Sequence, residues 1–127
     1  MELSHEQAIE EVAEHLRPIF EQSPDGVYVW LDDHNKRCNE VLAKMFGYTV
    51  EEWQAVDDFA HAFVGDRDRG IYVWNYQNRV AGLEFPATFR FQARRRDGST
   101  FEAETDMIPL TYGGHTIAYH FVRAVGA

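Results

Sequence analysis

The side chains able to do chemistry in this 127-residue chain are few, and most can be assigned by spacing. Cys38 is the single cysteine. It cannot close an intramolecular disulfide, and its free thiol places the chain in the cytoplasm. His115 and His120 are separated by an odd step on one predicted strand. They therefore point to opposite faces and make no metal pair. His5-Glu6 is not followed by a histidine at the step a zinc helix needs, and no Gly-x-Ser-x-Gly elbow occurs. Ser4, Ser23 and Ser99 fall at caps and turns. Glu104 and Asp106 could move a proton only if an apolar cavity held one of them. Arg94, Arg95 and Arg96 form a basic run of the kind that binds phosphates.

Charge and pattern dispose of the last two options. The formal net charge is -9, which repels nucleic acid and anionic membranes. Residues 85–94 and 101–107 alternate strictly, with Phe89, Phe91, Ala93, Ala103, Thr105 and Met107 on one face. A two-residue turn at Asp97-Gly98 would set Phe91 against Glu104 and mix the faces. A three-residue loop, Arg96-Asp97-Gly98, sets Arg95 against Ser99, Phe91 against Ala103 and Arg90 against Glu104. It requires Gly98 to be left-handed. The arginines then belong to a solvated, mostly partnered hairpin. Glu104 and Asp106 fall on its wet face, which disfavours a cone-shaped α+β enzyme of the ketosteroid-isomerase type.

The remaining elements follow from caps and breakers. Ser4 with Gln7 is a capping box, and Ala8, Ile9, Val12, Ala13 and Leu16 share one helical face that ends before Pro18. Ser23-Pro24-Asp25-Gly26 is a turn. Val27 to Leu31 is a strand, Asp32 to Lys36 a turn, and Arg37-Cys38 opens a second strand. Asn39 caps a helix over 40–46, with Gly47 as its left-handed terminus. Thr49 with Glu52 caps a short helix through Trp53. Residues 57–64 form a short helical piece and 66–80 a longer helix. Gly113-Gly114 turns into a last strand, His115 to Arg123. The N-terminus is not a signal peptide, and no apolar run reaches the roughly 20 residues that span a bilayer.

Taken together, IFEQSPDGVYVWLDD, CNEVLAKMFGYTVEEW, FRFQARRRDGSTFEAE and HTIAYHFVR resemble a PAS domain over about residues 16 to 123. The resemblance implies an α+β fold, a five-stranded antiparallel sheet with helices on one face and an extra N-terminal helix. The expected division is an amphipathic helix over 1–17 and a PAS domain over 18–127. A pocket between sheet and helices would be lined by Phe46, Phe59, Phe63, Tyr72 or Tyr76, Phe89, Phe91 and Met107, with Thr105 and His120 orienting a ligand. A wall of this kind suits a small-ligand pocket and an ordinary core equally.

By analogy Val27, Val29 and Leu31 share the inner face with Ala118, His120 and Val122. Tyr28, Trp30, Ile117, Tyr119 and Phe121 would then make an outer apolar patch that something must cover. Ile9, Val12 and Leu16 of the first helix are the candidates, from this chain or a second copy, so a homodimer is expected. The cofactor is left open. Photoactive flavin is disfavoured because Cys38 lies on a strand. Haem is disfavoured because residues 66–82 hold no histidine, and His61 reads better as a buried, hydrogen-bonded core residue. The expected function is a non-catalytic sensory and signal-transduction module, of the kind found in two-component systems. It would bind a small ligand or a protein partner and relay a change of shape. The alternative is a dimerisation module with a filled core. One departure stands out: Arg123 is followed by Ala124 where the family commonly has aspartate, which puts the usual route to an output helix in doubt.

Overall fold

The computed structural model describes residues 3–68 and 87–125. Five strands form one antiparallel sheet in the order β2-β1-β5-β4-β3. They are β1 (Gly26–Asp32), β2 (Asn35–Cys38), β3 (Ala87–Arg94), β4 (Thr100–Tyr112) and β5 (His115–Ala124). Among the described residues five helices accompany them: α1 (His5–His15), α2 (Arg17–Gln22), α3 (Glu40–Phe46), α4 (Val50–Ala55) and α5 (Phe59–Phe63). The expected helix over 66–80, Tyr72 and Tyr76 with it, lies outside the described residues beyond Asp68. No helix among the described residues is long and apolar enough to cross a membrane.

Local chemistry starts and stops these elements. The capping boxes Ser4/Gln7 and Thr49/Glu52 are both closed. Asn39 does more than cap. Its Oδ1 accepts from the amides of Leu42 and Val27, each at 3.0 Å, and its Nδ2 donates to the carbonyls of Phe20 and Asp25. One buried side chain thus joins α2, β1 and α3. Gly47 (φ 84°) ends α3 in the left-handed conformation. At the β3–β4 hairpin Gly98 (φ 89°) is left-handed and the Arg95 amide donates to the Ser99 carbonyl. The pairs Phe91 with Ala103, Phe89 with Thr105 and Arg90 with Glu104 follow, so the three-residue loop sets the predicted register.

Two apolar layers enclose the sheet. On the inner face α3, α4 and α5 pack a cluster that includes Tyr28, Leu42, Phe46, Trp53, Phe59, Phe63, Phe91 and Val122. On the outer face α1 covers Val27, Val29, Ile117 and Tyr119 with Ala8, Ile9 and Val12. This corrects the expected facing of β1. Tyr28 and Trp30 lie inside, while Val27, Val29 and Leu31 lie under α1. Every residue from Val27 to Leu31 is apolar, so alternation could not tell the faces apart. Pairing of Tyr28 with His120 and of Val29 with Tyr119 decided it.

The first helix covers its own sheet, and its N-terminal end is tied down by polar contacts. His5 Nδ1 lies 2.6 Å from Asp32 Oδ2, and His115 Nε2 lies 2.5 Å from the Leu3 carbonyl. The Tyr112 hydroxyl donates to Glu11 at 2.8 Å.

Candidate functional site

The inner face of the sheet carries the densest chemistry. Tyr28 and His120 face each other across β1 and β5 with rings stacked at 4.0 Å and 7°. Trp53 stacks on Phe63 at 5.1 Å and 12°. Phe59 stands edge-on to Phe63 at 5.0 Å, and Phe46 does so at 5.5 Å. The helices supply the walls because α3, α4 and α5 each turn one short apolar face to the strands.

The polar groups come from the strands. His120 is fully buried, and burial pushes its imidazole down to about 3, so the ring is neutral. Met107 lies opposite His120, and Thr105 lies opposite Val122, placing Thr105 diagonal to His120. Thr105 is 0% exposed, and its hydroxyl has no hydrogen-bond partner among the described residues. The Trp53 Nε1 is likewise buried without one. A buried hydroxyl left unpaired costs roughly 1–3 kcal/mol.

Phe46, Phe59, Phe63 and Phe91 meet in one cluster with Phe89 packed against it, and Thr105, Met107 and His120 share that face of the sheet. Tyr72 lies outside the described residues. Of the residues expected on a dimer surface, Ile9 and Val12 are buried against this chain's own sheet, with Tyr119 beneath them. Leu16 and Phe121 pack half-buried at the edge of that layer, and Tyr28 and Trp30 are inside. His61 is exposed on α5, which corrects its reading as a core histidine. Apolar neighbours in the sequence suggested burial, but the short helix turns Phe59 and Phe63 inward and His61 outward.

Sequence reasoning missed Lys36, which it assigned to a turn. The residue is 0% exposed on β2, and its ammonium donates to the carbonyls of Asp33, Val56 and Gln54 at 2.5, 2.5 and 3.2 Å. Burial lowers its pKa against the pull of Asp33 and Asp57. The polar run Asp-Asp-His-Asn-Lys hid it. Its place one residue inside a strand, opposite Trp30, was the available signal.

The carboxylates considered for catalysis lie on the outer face. Arg123 reaches Glu104 at 2.9 Å, Asp106 at 3.0 Å and Asp25 at 3.3 Å. Thr88 donates to Asp106 at 2.7 Å, and this bond holds the acid below its usual range. The Arg123 bond does the same for Glu104. Neither acid reaches the aromatic layer. Of the arginine run, Arg96 bonds Glu52 on α4 at 2.6 Å, and Arg95 lies over the Phe101 ring at 4.4 Å.

Comparison with known proteins gives the arrangement a family. A model described as the PAS domain matches residues 14–78, about half of the chain. No curated protein matches. Among solved structures, a PAS domain from a two-component sensor histidine kinase superposes with TM-score 0.69 at 16% identity, covering 91% of this chain and 98% of that one. A domain of a sensory box sensor histidine kinase/response regulator from Geobacter sulfurreducens gives 0.67 at 21% identity, over 91% and 96%. The PAS domain of a LuxR-family transcriptional regulator from Burkholderia thailandensis, in complex with ethanol, gives 0.65 at 16%, over 87% and 97%. At these identities the superpositions speak for the fold, and the family model speaks for descent: the chain belongs to the PAS domain family.

Proposed function

We propose that this chain is a sensory and signal-transduction module that binds a small, uncharged ligand on the inner face of the sheet. The observation that carries the reading is the Thr105 hydroxyl, buried without a partner among the described residues and diagonal to a neutral His120. An aromatic wall with two convergent polar groups selects a small molecule that is mostly apolar and offers one hydrogen-bonding end. A charged ligand would lose its hydration with no opposite charge to meet it. The ethanol bound by the Burkholderia thailandensis domain is of this chemical class. Ligand entry would shift α3–α5 against the sheet. The change would pass to a partner protein, or to a second copy reached through the half-buried rim at Leu16 and Phe121. The buried free thiol of Cys38 supports work in the cytoplasm.

Native mass spectrometry with an absorbance spectrum on freshly purified protein tests this directly. The expected result is an adduct mass that disappears in Thr105→Val. That variant should fold with stability unchanged or raised by about 1 kcal/mol, because an unpaired hydroxyl is removed. A bare mass together with no thermal shift from any small alcohol, ketone or amide would favour the second reading, an interaction module with a filled core. The close stacking of Trp53, Phe63, Phe59 and Phe46 supports that alternative.

A further inference from the structure

An open groove of about 920 Å³ runs where α1 and α2 meet β2, α3 and α4, outside the inner aromatic site. Its apolar lining includes Ala13, Phe20, Val41 and Val50. Val41 is 36% exposed, and Ile19, next to Phe20 on α2, is 40% exposed. These two are the large hydrophobic residues left in solvent among the described residues; Val41 lines the groove, and Ile19 precedes the lining residue Phe20 in sequence. Each of the groove's two arginines is already neutralised. Arg17 pairs with Glu14, and Arg37 reaches Glu10 at 3.7 Å. Glu21 and Glu40 also line the groove and have no cationic partner among the described residues. The rim is therefore acidic over an apolar floor.

We infer that this groove docks a segment of a partner protein that presents basic side chains beside aliphatic ones. Charge complementarity selects that occupant. At this acidic rim a second copy, itself of net charge -9, is disfavoured, and its Arg67, Arg90, Arg96 and Arg123 are already held in ion pairs within their own chain. Nucleic acid and anionic lipid meet the same repulsion. Glu21 and Glu40 would steer and orient the segment, while Phe20 and Val41 receive its aliphatic side chain.

The test is a titration of the isotopically labelled full chain with an acetylated, amidated leucine–lysine peptide of helical spacing, followed by NMR amide shifts. Shifts should concentrate on α2, α3 and the end of β2. The pair Glu21→Gln/Glu40→Gln should weaken binding about tenfold, a difference of ~1.4 kcal/mol. The pair Glu6→Gln/Glu51→Gln, with the same change of charge elsewhere, should leave it unaltered. Ile19→Ser/Val41→Ser, both at exposed positions, should weaken it without unfolding the protein. Equal loss from the two glutamate pairs would reduce the attraction to bulk charge and overturn the proposal. Shifts centred on the outer sheet face would also overturn it.

Discussion

Cys38 and His120 show how strongly burial alone sets reactivity in this molecule. Both are ordinary in the sequence and altered in the fold. Burial pushes the Cys38 thiol up to about 12, from an ordinary value of 9.0. The folded protein should therefore hold roughly a thousandfold less thiolate than an unfolded chain. Alkylation with iodoacetamide at mildly alkaline pH is expected to be slow and to accelerate sharply in denaturant. Fast labelling of native protein would refute the burial of Cys38. For His120 the sign runs the other way. Its folded value is about 3 and its ordinary value 6.5, so between these limits only the unfolded state takes up the proton. Stability is thus fully present above pH ~6.5 and falls on acidification, by about 1.4 kcal/mol per pH unit from this residue. Urea unfolding across that range should show one proton's worth of slope in the parent that His120→Phe removes. An unchanged slope would mean that His120 is protonated in the folded state.

The elements are joined by polar side chains that serve several partners at once. Lys36 binds three carbonyls, tying β2 and the β1–β2 turn to the end of α4. Lys36→Met keeps the stem and removes the donors. It should destabilise by ~3 kcal/mol, because three carbonyls lose their donor around a fully buried side chain. Denaturant titration checks this, and a loss below ~1 kcal/mol would mean that water satisfies those carbonyls instead. Asn39 was readable from sequence as an N-cap because capping is local, decided by residues within one turn. Its bonds to Phe20, Asp25 and Val27 were not, because they depend on where α2 and β1 come to rest. The β3–β4 hairpin was legible for the same local reason: one wet face and one dry face leave a single loop length that keeps them apart. The β1 strand was not, because it is apolar on both faces.

In the whole molecule, α1 closes the second apolar layer and determines what the sheet can offer to others. Ile9 lies at its centre, against Val27, Val29, Ile117 and Tyr119. Ile9→Glu would place a charge in that layer, and α1 should undock rather than bury it. The exposed outer face is then a large apolar patch, and the protein should bind a hydrophobic dye and self-associate on size exclusion with light scattering. A monomer with parent-like stability would show that the helix contributes little to the layer. The parent's oligomeric state, measured in the same run, tests whether a homodimer forms at all, as proposed through Leu16 and Phe121.

What the sequence determined by itself was everything carried by short-range geometry. The capping boxes at Ser4 and Thr49, the α3 cap at Asn39, the left-handed Gly47 and Gly98 and the register of β3 on β4 all arise from residues close in the chain. The resemblance to PAS domains also rested on such segments. Tertiary structure alone decided which way β1 faces, that Lys36 is buried and His61 is not, that α1 spends its apolar stripe on its own sheet, and that a groove with an acidic rim lies between α2 and α3. Each of these depends on contacts between segments distant in sequence. There pattern is silent, and the balance of burial, hydrogen bonding and charge across the assembled layers makes the choice.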